Sequence, residues 1–92
     1  RLFLSVGTLE PRKRHAQVLG AIDELWKRGE PVSLVIVGKQ GWDCEAFVKA
    51  LNEHPENGKR LLWLDDASDS DLLAAMNAAD ALIAASENEG FG

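Results

Sequence analysis

Four short apolar runs punctuate the chain: Leu2 to Val6, Ser33 to Val37, Arg60 to Leu64 and Ala81 to Ala85. Each has the length of a strand, and Leu34-Val35-Ile36-Val37 is continuously apolar, the pattern of a strand covered on both faces in a parallel sheet. Between these runs the apolar positions recur at three- and four-residue spacing. From about His15 to Arg28, Val18, Leu19, Ile22, Leu25 and Trp26 share one stripe while Asp23, Glu24, Lys27 and Arg28 lie outside it, which predicts an amphipathic helix that Gly29 stops. A second helical pattern, from about Asp43 to Asn52, turns Phe47, Val48 and Leu51 inward and ends at His54-Pro55 and Asn57-Gly58. A third, from about Asp69 to Ala78, turns Leu72, Leu73 and Met76 inward behind Ser68-Asp69-Ser70-Asp71, which reads as a cap whose acids complement the helix dipole. Trp26 and Trp63 join Met76 as expected core residues.

Strand and helix therefore alternate strictly, β-α-β-α-β-α-β. The fold class is α/β, with right-handed crossovers, a parallel sheet and helices on its faces. The pattern allows a strand order of 3-2-1-4 or 2-1-3-4. In sheets of this kind ligands sit beyond the carboxyl ends of the strands, where the strand order reverses, so the loops after the first and fourth strands carry the interest.

Composition narrows the possibilities. With 92 residues, 46% of them hydrophobic and 27% charged, the chain fits one small globular domain. A net charge of −5 argues against a general nucleic-acid binder, and no apolar run approaches the length of a membrane span or a secretory segment. The single cysteine, Cys44, with only His15 and His54 beside it, offers neither an internal disulfide nor a zinc constellation, which makes the reducing cytosol the default compartment. The chain opens directly into an apolar run and stops on Gly90-Phe91-Gly92, and so reads as a piece of a larger protein.

The charge is uneven. Arg12, Lys13 and Arg14 make the loop after the first strand basic just ahead of a helix N-terminus, the combination that a phosphate or diphosphate requires. An idle, solvated basic turn is the equal alternative on charge alone. After the fourth strand, Ser86-Glu87-Asn88-Glu89-Gly90-Phe91-Gly92 carries two glycines that allow close backbone approach and acids able to accept hydrogen bonds from sugar hydroxyls, although a plain loop would read the same way. Gly38-Lys39-Gln40-Gly41 lacks the frame of a P-loop, Gly7-Thr8-Leu9 lacks that of a dinucleotide site, and Ser86 has no nucleophile-elbow context. Trp42, at a helix entrance, reads either as a hydrophobic cap or as a stacking surface, with the cap favoured. His15 reads as a surface residue and Cys44 as a packing residue.

Taken together, Val6-Gly7-Thr8-Leu9-Glu10-Pro11-Arg12-Lys13, Leu34-Val35-Ile36-Val37-Gly38-Lys39-Gln40-Gly41-Trp42, Ser68-Asp69-Ser70-Asp71-Leu72 and Ser86-Glu87-Asn88-Glu89-Gly90-Phe91-Gly92 resemble family 4 glycosyltransferases of the GT-B fold, over the whole chain and in the right order. The resemblance implies a Rossmann-like half-domain of strand order 3-2-1-4. Residues 1–92 would be the first part of the C-terminal, nucleotide-sugar-binding domain. It implies a retaining enzyme that moves a hexose from a nucleotide diphosphate sugar, of GDP-mannose or UDP-hexose type, to an acceptor hydroxyl. No cofactor is implied beyond the donor, which is a substrate, and no metal. The N-terminal domain of the same parent chain would supply the acceptor site, for a glycan, a lipid-linked or a small-molecule acceptor. A cytoplasmic location follows, with any peripheral membrane association made through other parts of the parent.

Residue by residue, Lys13 matches the lysine that contacts the donor diphosphate. The companion arginine usually stands where this chain has Thr8, and Arg12 is the candidate to replace it. Glu89 matches the first glutamate of the family's Glu-x7-Glu motif, beside the donor sugar, and is the catalytic candidate; the backbone amides of Gly90, Phe91 and Gly92 match those that meet sugar and diphosphate. The second glutamate of the motif falls beyond Gly92. The nucleotide base would rest against the ends of the second and third strands, at Gly38, Lys39, Leu64, Asp65 and Asp66. Asp69-Ser70-Asp71 has the spacing of a metal-binding Asp-x-Asp motif, but its position after Ser68 favours helix capping. The fragment by itself is expected to be inactive. The rival reading is a non-catalytic α/β regulatory or scaffolding module, with Thr8 as its best support.

Overall fold

A computed structural model describes residues 1–9 and 15–83. The elements are β1 (Leu2–Val6), α1 (His15–Lys27), β2 (Ser33–Val37), α2 (Glu45–Glu53), β3 (Leu61–Leu64), α3 (Asp69–Ala78) and β4 (Ala81–Leu82). The sheet order is β3-β2-β1-β4 and every neighbouring pair is parallel, so this is a Rossmann-like half-domain and the order 2-1-3-4 does not apply. Leu4 sits at the centre of the register, opposite Val35 on one side and Leu82 on the other.

One face of the sheet is dry. Leu34 and Ile36 of β2 and Leu61 of β3 cluster with Leu19 and Ile22 of α1 and Leu51 of α2, all of them buried. Burying a Leu or Ile side chain contributes on the order of 1.5–3 kcal/mol, so this cluster is the main source of stability. Trp26 and Trp63 pack against it as expected, and each satisfies its indole N–H by donating to a carbonyl, that of Val32 and that of Gly38 respectively, both at 2.8 Å.

The far end of the layer is closed by polar contacts. His54 accepts the Glu56 N–H on Nδ1 at 3.0 Å, so its proton sits on Nε2, which donates to Asp23 at 2.7 Å. Arg60 donates to both carboxylate oxygens of Glu56, at 3.0 and 2.9 Å, and holds that carboxyl below its ordinary range.

The other face is less covered. Among the described residues α3 is the only helix on it, packed along β1. Leu73 and Met76 remain 60% and 53% exposed, and Val6, Leu62 and Leu82 are exposed as well. The expectation that Leu73 and Met76 point into a core is therefore corrected: their stripe is apolar, but no described element lies opposite it.

Boundaries shift where the backbone departs from periodicity. Helix α2 starts two residues later than its pattern predicts because Asp43 takes φ 55 and Cys44 becomes the N-cap. Strand β4 holds two residues of the predicted run, and Ile83 continues the ladder by donating to the Leu4 carbonyl at 2.8 Å. Ala84 and Ala85 lie outside the described residues.

Candidate functional site

At the carboxyl edge of the sheet, β1 and β2 stay zipped beyond their last strand residues. Gly7 donates to the Val37 carbonyl, Leu9 to that of Lys39, and Gly41 back to that of Leu9, each at 2.9 Å. Leu9 and Gln40 form a parallel bridge, and the Leu9 side chain is fully buried in the core although it belongs to no strand or helix. The chain is thus anchored at the residue from which it enters the basic segment.

Gly38 is the centre of this arrangement. A Cβ there would lie 1.8 Å from the Gly7 carbonyl oxygen and 2.6 Å from its carbon, so no side chain fits. Its N–H donates to the Leu64 carbonyl at 3.0 Å and its carbonyl accepts the Trp63 indole N–H. Of the residues expected to form a base region, Gly38, Lys39 and Leu64 are thereby brought to one edge, and Asp65 and Asp66 lie exposed on the turn that follows β3. Thr8 is exposed beside Gly7. Arg12, Lys13, Glu89, Gly90, Phe91 and Gly92 lie outside the described residues.

The Asp-x-Asp segment is occupied by capping. Asp71 donates its N–H to Ser68 Oγ and accepts the Ser68 N–H on Oδ2, both at 3.1 Å, a reciprocal capping box. Ser68→Ala should therefore cost about 1 kcal/mol, seen as a melting temperature lower by roughly 4–8 °C for a domain of this size. Asp69→Asn, outside the box, should cost no more than that.

Two expectations about single residues change. His15 is buried, not on the surface, with its ring 5.9 Å from that of Phe47. Trp42 is 70% exposed, so it is not a hydrophobic cap. Cys44 is a packing residue as expected, buried, with Sγ donating to the Gly41 carbonyl at 3.3 Å.

A cleft of about 480 Å³ lies between α1 and α2, lined by Leu9, His15, Leu19, Cys44 and Phe47 among others. Small residues line it from both helices, Ala16 and Gly20 on one and Ala46 and Ala50 on the other, and leave the space between them unfilled. That signal was present in the sequence but falls outside the apolar stripes from which helix packing is read. Leu9 and Cys44 bring one end of this cleft to the edge described above, although Gly38, Lys39 and Leu64 do not line it.

The family described as glycosyl transferases group 1 matches the chain over residues 1–92. Among similar proteins are three from Escherichia coli, each described as a serotype-specific mannosyltransferase WbdA and each 49% identical over 90 residues, which is 98% of this chain and 11% of the relative. The chain thus spans about one ninth of the length of these curated relatives. No solved structure matches it.

Proposed function

The chain belongs to the group 1 glycosyl transferases, and from that membership we propose that it is the first part of the donor-binding domain of a retaining hexosyltransferase. The donor is a nucleotide diphosphate sugar, and the description of the relatives as mannosyltransferases makes GDP-mannose the first donor to try, with UDP-hexoses second. The observation that carries this reading is the pairing of β4 directly beside β1. Parallel neighbours release their chains at the same edge, so the segment bearing Arg12 and Lys13 and the segment bearing Glu89 to Gly92 set out from adjacent points.

Transfer requires stabilisation of a departing diphosphate, and fixed cations with oriented backbone amides supply it. Lys13 and Arg12 are assigned the cationic role, the amides of Gly90, Phe91 and Gly92 the backbone role, and Glu89 the place beside the donor sugar. Gly38, Lys39, Leu64, Asp65 and Asp66 face the base. No cofactor or metal takes part in this reading. The acceptor, glycan, lipid-linked or small, is bound chiefly by an N-terminal domain of the same cytoplasmic parent, and residues 1–92 alone are inactive.

In the full-length protein, Lys13→Ala should lower kcat/KM for the donor at least tenfold, since losing one charge-assisted partner costs about 1.5–3 kcal/mol. Arg12→Ala should lower it as well if Arg12 replaces the arginine absent at Thr8. Activity should survive EDTA; abolition by EDTA and restoration by Mn²⁺ would overturn the metal-free reading. Thr8 keeps one alternative in view, a non-catalytic module without a donor site. A thermal shift separates the two, because donor nucleotide at a hundred times its Kd adds about 2.7 kcal/mol of stability to a binder and nothing to the module.

A further inference from the structure

Trp26 and Trp63 are bonded alike and placed at opposite ends of β2. Each is partly buried against the core and donates its indole N–H to a backbone carbonyl at 2.8 Å, Trp26 to Val32 just before the strand and Trp63 to Gly38 just after it. The two carbonyls are about 20 Å of extended chain apart. Satisfying a buried indole explains both bonds equally. Only the second reaches the carboxyl edge of the sheet.

In the ladder between β2 and β3, Leu34 donates to the Arg60 carbonyl and Gly38 to that of Leu64. Strand β3 ends at Leu64 and the chain turns at Asp65 and Asp66, so the regular ladder stops one bond short of the Gly38 carbonyl. The Trp63 indole supplies that bond, reaching along the sheet from its place opposite Ile36. A peptide unit is planar, so fixing the Gly38 carbonyl also fixes the direction of the Lys39 N–H. The next carbonyl, that of Lys39, accepts the Leu9 N–H at 2.9 Å. Both peptide units that flank the Lys39 Cα are thereby pinned, and the exposed Lys39 side chain starts from a fixed direction. On its other side Gly38 has no room to shift, because the Gly7 backbone stands where a Cβ would lie.

We propose that Trp63 is a positioning residue for the nucleobase of the donor: through the Gly38 carbonyl, its indole N–H sets the Gly38–Lys39 peptide and the Lys39 side chain against the base. This inference rests on the donor-binding reading above, which assigns Gly38 and Lys39 to the base region. It adds to that region a residue that acts through the backbone and not by contact with the donor.

The test uses the full-length protein and sets Trp63→Phe against Trp26→Phe. Each variant keeps a ring in the core and loses one indole-to-carbonyl bond, so the two melting temperatures should fall alike. In calorimetry with GDP, or with UDP where that is the nucleotide bound, only Trp63→Phe should weaken binding, by about fivefold, the worth of one neutral hydrogen bond. Pyrophosphate, which has no base, should bind as it does to the wild type. With GDP-mannose as donor the same loss should appear in KM and not in kcat, because the base lies away from the reacting atoms. An unchanged nucleotide affinity in Trp63→Phe overturns the proposal. So does an equal loss in Trp26→Phe, or a loss of pyrophosphate as large as that of nucleotide, since either makes the role a structural one. Trp63→Tyr, which also lacks the indole N–H, takes the place of a Trp63→Phe that does not fold, and failure of both where Trp26→Phe folds overturns the proposal too. A wild type that binds neither GDP nor UDP removes the donor-binding reading and the proposal together, whereas a wild type and a Trp63→Phe that bind nucleotide equally well remove the proposal alone.

Discussion

Gly38→Ala should destabilise the domain by about 3 kcal/mol, the upper end of what overpacking costs. The added methyl would meet a backbone carbonyl at 1.8 Å, and backbone on both sides is pinned: Gly7 donates to Val37, and Gly38 itself donates to Leu64. No rotamer relieves the overlap, so β1 and β2 must part at their carboxyl ends. Urea denaturation of wild type and variant would show the midpoint fall. Gly20→Ala is the control, because a Cβ there meets nothing within 4 Å and an alanine in mid-helix is favoured by about 0.5–1 kcal/mol. Equal midpoints for Gly38→Ala and wild type would mean that the two loops separate freely.

Leu9→Ala should cost about 2–5 kcal/mol, the range for a fully buried leucine truncated in a core. What distinguishes it from other core truncations is its place. Leu9 is held by Lys39 and Gly41 through the backbone and by the core through its side chain, immediately before the segment that carries Arg12 and Lys13. Loss of that anchor should lower donor kcat/KM in the full-length protein at temperatures where the fold survives. Leu51→Ala makes the comparison: it is as deeply buried, but lies on α2, and should destabilise to a similar degree without touching donor kinetics. If both variants change the donor kinetics alike, the effect is one of general stability and not of the anchor.

Periodicity was sufficient for much of the fold. The strand limits Leu2–Val6 and Ser33–Val37 and the helix Asp69–Ala78 coincide with the apolar and capping patterns, and at the start of α3 the Ser68–Asp71 capping box fixes the boundary. It was insufficient where one backbone angle decides. Nothing in the apolar pattern shows that Asp43 turns left-handed, and so the start of α2 was misplaced.

The strand order, open on pattern alone, was selected by the family resemblance and is observed. Leu9 was legible as a loop residue only, since its burial depends on a ladder that continues after the strands have formally ended. Gly38 was assigned to the base region by the resemblance, and nothing in the apolar pattern shows that it also packs against the Gly7 backbone. The assignments of Arg12, Lys13, Glu89, Gly90, Phe91 and Gly92 rest on the resemblance, because charge and glycine content in loops have bland explanations as readily as functional ones.

The position of β1 in the middle of the sheet has a consequence in time. Of the four strands it is the first to leave the ribosome, and one of its edges is filled by β2 soon afterwards. The other edge waits for β4, whose junction is sealed by contacts 78 residues apart in sequence, the Leu2 N–H donating to the Asp80 carboxylate at 2.7 Å. At about 5–20 residues per second, synthesis leaves that edge open for roughly 4–16 s. During this interval a row of unpaired backbone groups faces solvent or any neighbouring nascent chain. Slowing elongation before residue 80 should therefore lengthen the exposure and lower soluble yield, even though the finished sequence and its folded stability are unchanged.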